Sequence, residues 1–171
     1  YLAVLSVTAG TLFAGDKVVP VPEEPSSPWS LEADSGVLWR FTGSATPLSY
    51  TFVPQIVSAF GPPHFQLHFA DGVLTLRPRF SLMMEPIIKG PESYFFGTTG
   101  AGDLEWRFRS GRTALFFCGG GGVGLMDSKG YEVKGGQGQD FNLTWFVHTG
   151  MRFRLTGLWR WSAGVFFQHI S

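Results

Sequence analysis

The sequence predicts an all-β protein, and three observations lead to that prediction. Charged residues make up only 15% of the 171-residue chain, whereas aromatic residues reach 16% and glycine occurs 23 times. Long segments alternate between apolar and polar residues with a period of two, which is the repeat of a β-strand. No segment keeps a helical repeat over three turns, and none is long enough for a helix that crosses a bilayer.

The first 34 residues are predicted to lie outside the folded domain. Residues 1–14 contain an apolar, uncharged run that is too short for a membrane helix and ends in small residues, so they are interpreted as part of an export signal peptide. A short first strand is the alternative. Residues 15–34 are rich in proline and are predicted to form an extended lead-in.

The domain is predicted to span residues 35–171. The clearest segment is residues 140–157, in which Phe141, Leu143 and Trp145 alternate with polar residues. This alternation lasts about three times the usual strand length of ~5–6 residues, and a strand that crosses a bilayer needs ~9–11 residues. Seven strands are predicted, at 37–44, 47–58, 73–85, 94–109, 112–126, 140–155 and 158–171.

This strand pattern predicts an eight-stranded antiparallel barrel of a bacterial outer membrane. Such barrels have even strand numbers, and an open edge in lipid leaves unpaired N–H and C=O groups. The chain is therefore expected to carry about seven of the eight strands and to lack the last one. An eight-stranded barrel has no room for a channel, so transport is not expected.

The two faces of each predicted strand are assigned to two environments. The apolar side is expected to face lipid, and the polar side is expected to fill the interior, where its charges can pair. A net charge of zero argues against a nucleic-acid partner. The single Cys118 excludes an internal disulfide and is expected to pack as a small hydrophobe. The predicted interior charges are Arg77, Arg79, Glu105, Arg107, Arg152 and Arg154.

Several motifs are given structural interpretations. The segment GGGGVG at 119–124 contains G-x-G-x-x-G, but no helix or βαβ unit is predicted around it, so its glycines are expected to permit close packing or a bulge on the inner face. His64 and His68 have a spacing that suits a metal only on a helix, and a loop is predicted there. His148 is predicted to be a polar filler of the interior. No metal or cofactor is expected.

The chain ends in QHIS, which brings His169 and Ser171 to the same side of a strand. Residues at i and i+2 lie ~6–7 Å apart at the backbone, close enough for the side chains to meet. A histidine beside a serine can act as base and nucleophile. The alternative is an interfacial histidine and serine near the membrane rim, because His-x-Ser is common by chance.

The carboxy-terminal third resembles the outer-membrane lipid A 3-O-deacylases, the PagL-type, acyloxyacyl hydrolase-like enzymes. The similarity runs from GRTALFFCGGGGVGLMDS through QDFNLTWFVHTGMRFRLTGLWRWSAGVFFQHIS: a glycine-rich strand, a polar loop, a long amphipathic strand, and a strand that ends in His-x-Ser. The resemblance implies that Ser171 is the nucleophile and His169 the general base. It also implies a Glu in the following segment and an Asn directly after the serine.

The resemblance thus implies an outer-membrane esterase that removes the 3-O-linked hydroxyacyl chain of lipid A, with lipopolysaccharide as its substrate. One alternative is a non-enzymatic outer-membrane barrel with a structural or lipopolysaccharide-binding role. Another is a soluble lipocalin-like barrel, which requires the apolar residues to face inward. The sequence leaves the oligomeric state open between a monomer and a homodimer.

Overall fold

The computed structural model describes residues 2–12, 29–40, 48–69, 71–156 and 159–171. These residues form ten strands in an antiparallel sheet, which confirms the predicted all-β class. None of the described residues belongs to a helix long and apolar enough to cross a membrane. The strands are β1 (Leu2–Leu12), β2 (Ser30–Arg40), β3 (Thr51–Phe52), β4 (Gln55–Phe60), β5 (Phe65–Phe69), β6 (Gly72–Lys89), β7 (Tyr94–Phe108), β8 (Thr113–Met126), β9 (Phe141–Arg154) and β10 (Trp159–Ile170).

Most strands that are neighbours in sequence are also neighbours in the sheet. Strands β6 to β10 form a continuous antiparallel meander. Strands β3, β4 and β5 pair one after another along β6 and share one position in the sheet. Strand β1 pairs with β10 on one side and with β2 on the other. The described part of the chain therefore has eight strand positions, where seven strands were predicted.

The amino-terminal region differs from its prediction. Residues 2–12, interpreted as part of an export signal with a short first strand as the alternative, form strand β1. An uncharged apolar run also suits a strand with a neighbour on each side. Strand β1 holds the place beside β10 that was expected for a strand after Ser171. Strand β2 begins at Ser30, so the last five residues of the predicted lead-in, residues 30–34, belong to a strand. Residues 13–28 lie outside the described part of the chain.

The segment between β4 and β6 also differs from its prediction as a loop. Phe65–Phe69 form β5, which contains His68 and directly follows His64. Asp71, directly before β6, has a φ of 57°. Aspartate adopts this left-handed conformation more readily than most residues. A five-residue strand among Pro, Gly and Asp is too short for its alternation to be recognised from sequence.

One face of the sheet, here called the inner face, is buried, and half of it carries paired charges. Arg152 of β9 donates to both carboxylate oxygens of Asp103, at 2.8 and 2.9 Å, and to Glu32 of β2 at 3.2 Å. Arg79 of β6 donates to Asp34 of β2 at 2.8 Å. Because these pairs join strands that are not neighbours, the sheet is curled around this face. The predicted pairing of interior charges is confirmed for Arg79 and Arg152, whose carboxylate partners here were not among the predicted interior residues.

The other half of the inner face is filled with apolar side chains. It lies toward the end of the sheet where β6 turns into β7 and where β8 leads into β9. Cys118 is fully buried within it, as predicted. This apolar cluster consists of Leu38, Tyr50, Phe52, Ile56, Met83, Phe95, Cys118, Met126, Phe146 and Phe166.

The opposite, outer face of the sheet is predominantly apolar. Large side chains are well exposed there, for example Phe80 and Leu82 at 58% and Leu143 at 57%. Apolar residues therefore point outward and charged residues inward, which is the predicted orientation. A lipocalin-like barrel needs the opposite arrangement, and the charged half of the inner face does not fit it.

Candidate functional site

His169 and Ser171 lie on the outer face at the end of β10. Gln168, which stands between Phe167 and His169, is fully buried on the inner face. Its two neighbours therefore face outward, as strand alternation requires. The backbone of Ser171 exchanges two hydrogen bonds with Leu143 of β9, at 2.8 and 2.9 Å. The ladder thus continues through Ser171, although β10 ends at Ile170. The imidazole and the hydroxyl therefore stand on the same side of the sheet, two residues apart.

The imidazole of His169 packs against an aromatic neighbour, Trp145. The two residues are register partners on β10 and β9, and their ring centroids are 5.7 Å apart with an interplanar angle of 33°. Trp145 also packs against Phe167, with ring centroids 5.5 Å apart. This contact restricts the histidine ring on one side. The sequence analysis missed Trp145 as a site residue, because the contact depends on the register of β9 against β10.

The outer face beyond Trp145 carries four glycines, here called the glycine floor. Trp145 pairs with Gly121 of β8. Gly121 pairs in turn with Gly100 of β7, and Gly100 pairs with Phe80 of β6. A Cβ built at three of the four floor glycines meets its nearest atom only at 3.6–4.0 Å, so packing does not require glycine there. The floor consists of Gly100, Gly102, Gly119 and Gly121.

The glycine-rich segment of β8 therefore serves both faces of the sheet. Close packing on the inner face was predicted for it, and this holds for Gly120 and Gly122. A Cβ at Gly120 would overlap the carbonyl oxygen of Gly100, and a Cβ at Gly122 would overlap that of Thr98. The prediction is wrong for Gly119, which faces outward, as does Gly121.

Carboxylates are absent from the outward positions next to the candidate pair. In the described residues of β8, β9 and β10, no Asp or Glu occurs at an outward position. Glu85 of β6 and Asp103 of β7 face inward and are buried. The site residues on β10 can thus supply a nucleophile and a base, whereas a carboxylate that orients the histidine is not among these positions.

The remaining histidines do not join this pair. His148 is buried between Phe116 and Phe166, with ring centroid distances of 4.8 and 5.5 Å. Its Nδ1 lies 3.3 Å from Nη1 of Arg79. A guanidinium only donates, so Nδ1 accepts and the neutral ring carries its proton on Nε2. His148 is therefore an interior polar residue, as predicted, and the described residues contain no group of three or more potential metal ligands.

The long connection between β8 and β9 is fixed to the end of the sheet that carries the site. Asp127 accepts hydrogen bonds from the backbone N–H groups of Ser93 and Tyr94, at 2.8 and 3.1 Å. The buried Glu92 accepts one from the N–H of Gln137 at 2.7 Å. Partial burial raises the pKa of Asp127, but the donated hydrogen bonds outweigh it, so its pKa lies below the ordinary value.

Comparison with known proteins adds no relative to this picture. No protein-family model, no curated protein and no solved structure matches the chain.

Proposed function

We propose that this chain belongs to an outer-membrane lipid A 3-O-deacylase, in which Ser171 attacks the hydroxyacyl ester and His169 is the general base. The observation that carries the proposal is a histidine and a serine two residues apart on the same, apolar outer face of the sheet. A substrate that approaches such a face is itself largely apolar. An acylated lipid with a polar headgroup meets this requirement.

The proposed fold is a closed eight-stranded barrel that spans the outer membrane. In support, β1 pairs with both β2 and β10, so the ladder of pairings returns to the strand where it starts. A closed barrel presents no unpaired strand edge to hydrocarbon, which does not tolerate one. Strand lengths support it too, since β6 has 18 residues and β10 has 12, whereas a tilted crossing needs ~9–11.

The position of the pair along the barrel suits an ester at the membrane surface. His169 and Ser171 lie at the strand end next to the β8–β9 connection, and long connections of outer-membrane barrels face the outside of the cell. The 3-O ester of lipid A lies just below the sugar headgroup. A lipid that diffuses laterally can therefore bring its ester to Ser171. In this position one of its acyl chains would lie along the glycine floor beyond Trp145.

The proposed reaction is ester hydrolysis in two steps. His169 takes the proton of Ser171 as the Oγ atom attacks the ester carbonyl, which gives a tetrahedral oxyanion. The oxyanion collapses, the sugar oxygen leaves with the proton that His169 returns, and the hydroxyacyl group remains on Ser171. Water, deprotonated by His169, then releases the 3-hydroxy fatty acid and restores the serine.

The test is mass spectrometry of lipid A from bacteria that express the complete protein. The expected result is lipid A that lacks one 3-hydroxyacyl chain, and unmodified lipid A with Ser171→Ala or His169→Ala. Ser35→Ala and His68→Ala are matched controls, because both residues are exposed and lie on other strands. Loss of the acyl chain in Ser171→Ala cells would show that another group is the nucleophile.

The alternative is an outer-membrane barrel that binds lipopolysaccharide without changing it. The absence of an outward carboxylate beside His169 on β8 to β10 favours this alternative. It predicts unmodified lipid A with the unchanged protein and with every variant. The same mass spectra therefore separate the two functions.

A further inference from the structure

Three polar side chains are buried in the apolar half of the inner face, directly behind His169. Glu85 and Gln168 are fully buried, and Thr144 is 4% exposed. Phe95, the register partner of Glu85 on β7, is fully buried beside it. Polar groups in such surroundings are costly unless they are hydrogen-bonded. Their contacts therefore indicate why they are there.

The three side chains form a chain of contacts that ends at the backbone of the candidate site. The hydroxyl of Thr144 donates to the carbonyl oxygen of His169 at 3.0 Å. The amide nitrogen of Gln168 lies 3.2 Å from the same hydroxyl. The other end of the amide faces Glu85, at 3.1 and 3.2 Å from its two carboxylate oxygens.

The single proton of the Thr144 hydroxyl decides between two arrangements. If Glu85 is protonated, it donates to the amide oxygen of Gln168, the amide N–H donates to Thr144, and Thr144 donates to His169. If Glu85 is ionised, the amide must turn its nitrogen toward Glu85, and its oxygen then competes with the His169 carbonyl for the Thr144 proton. Only in the first arrangement do the amide oxygen of Gln168 and the carbonyl oxygen of His169 each accept a hydrogen bond of their own from these side chains.

The surroundings of Glu85 favour the protonated carboxyl. Among the described residues, no Arg or Lys forms an ion pair with Glu85, and Gln168 is its hydrogen-bonding contact. An isolated buried carboxylate is far more costly than a buried carboxylic acid. The complete chain from Glu85 to the His169 carbonyl is thus the arrangement that this interior favours.

We propose that Glu85, Gln168 and Thr144 are positioning residues for the reaction, acting as an internal brace on the backbone of His169. The inference rests on the proposed function. The braced carbonyl belongs to the peptide group that leads from His169 toward Ser171, at the end of β10 where strands fray. The brace adds the hydrogen bond from Thr144 to the two backbone hydrogen bonds that Ser171 exchanges with Leu143. It thereby holds the imidazole in position for the hydroxyl.

The test measures kcat and KM for release of the 3-hydroxyacyl chain from purified lipopolysaccharide by the complete protein in detergent micelles. Thr144→Val keeps the side-chain shape without the hydroxyl, and we expect kcat to fall about tenfold to a hundredfold, as for small misplacements of catalytic groups, with little change in KM. Thr144→Ser restores the hydroxyl and is expected to restore kcat. Thr149→Val is the matched control. Thr149 lies on β9 like Thr144, but its hydroxyl donates to the carbonyl oxygen of Phe116 on β8 at 2.9 Å, away from the site.

Two further variants test the inner end of the brace. Glu85→Gln can donate a hydrogen bond to Gln168 as the carboxylic acid does, so it is expected to keep more activity than Glu85→Leu. Gln168→Met decides the question if Thr144→Val does not fold, and the heat-induced mobility shift of the folded barrel on gels reports folding. The brace is wrong if folded Thr144→Val or Gln168→Met has the kcat of Thr149→Val while Ser171→Ala is inactive. Activity in Ser171→Ala would instead contradict the proposed function.

Discussion

Arg152 shows how the inner face accommodates charge. Its guanidinium donates to Asp103 through two nitrogens and also reaches Glu32 and Glu105, at 3.2 and 3.1 Å. All four side chains are nearly fully buried. The planar fork of arginine, which donates from several nitrogens at once, suits this position in a way that lysine does not.

The first prediction concerns removal of this guanidinium. Arg152→Met leaves buried carboxylates without their partner, which is expected to lower the free energy of unfolding by about 3–5 kcal/mol. Urea unfolding in lipid vesicles, followed by tryptophan fluorescence, measures the change. The matched control is Arg109→Met, since Arg109 forms an exposed pair with Asp71 at 3.7 Å, and exposed pairs contribute about 0–1 kcal/mol. Equal losses in both variants would contradict a stabilising role for the buried cluster.

The β8–β9 connection illustrates, at the scale of an element, how a polar segment is fixed to the end of a sheet. Asp127 joins this connection to the turn between β6 and β7 through the N–H groups of Ser93 and Tyr94. Ser128 donates its own N–H and hydroxyl to Asp140, at 3.1 and 2.7 Å, and thereby joins the two ends of the connection. These bonds lie outside the strands and are accessible to titration.

The second prediction concerns the pH dependence of this attachment. The pKa of Asp127 is lowered in the folded protein, so its stabilising contribution is present above the ordinary aspartate value of about 3.9 and is lost as pH falls through the folded value. The amide signals of Ser93 and Tyr94 in NMR spectra are expected to shift only in this acidic range. Asp127→Asn should abolish the transition. A transition that persists in this variant would assign it to another group.

The third prediction concerns the outer face, and thus the molecule as a whole. Val165 points outward from the middle of β10 and is 48% exposed. If this face lies in lipid, Val165→Arg is expected to cost about 2–4 kcal/mol of folding free energy in vesicles, the value for arginine near the bilayer midplane. Tyr131→Arg is the control, because Tyr131 lies in the β8–β9 connection and is 93% exposed. Equal folding of the two variants would show that the outer face is in water.

Sequence reasoning reached the second half of the molecule more closely than the first. The predicted strand at 94–109 is observed as Tyr94–Phe108, and that at 140–155 as Phe141–Arg154. Long strands with one polar and one apolar face can be recognised from sequence because successive side chains point to opposite faces. Strand β1 was named only as the alternative to an export signal, since its uncharged residues do not alternate clearly between apolar and polar, and β5 was missed because it is short. The side of the sheet that carries His169 followed from parity. Its contact with Trp145 did not, because strand register depends on interactions between strands.

The ion pairs of the inner face also constrain the order in which this molecule can assemble. Glu32 and Arg152 are separated by 120 residues in the chain, so this ion pair forms only when the two halves of the polypeptide meet. In the proposed barrel, insertion of β2 without β9 would carry the Glu32 carboxylate toward hydrocarbon without Arg152, at a high energetic cost. If the barrel spans a membrane as proposed, assembly is expected to be concerted, with entry into the bilayer and meeting of the distant strands in a single step.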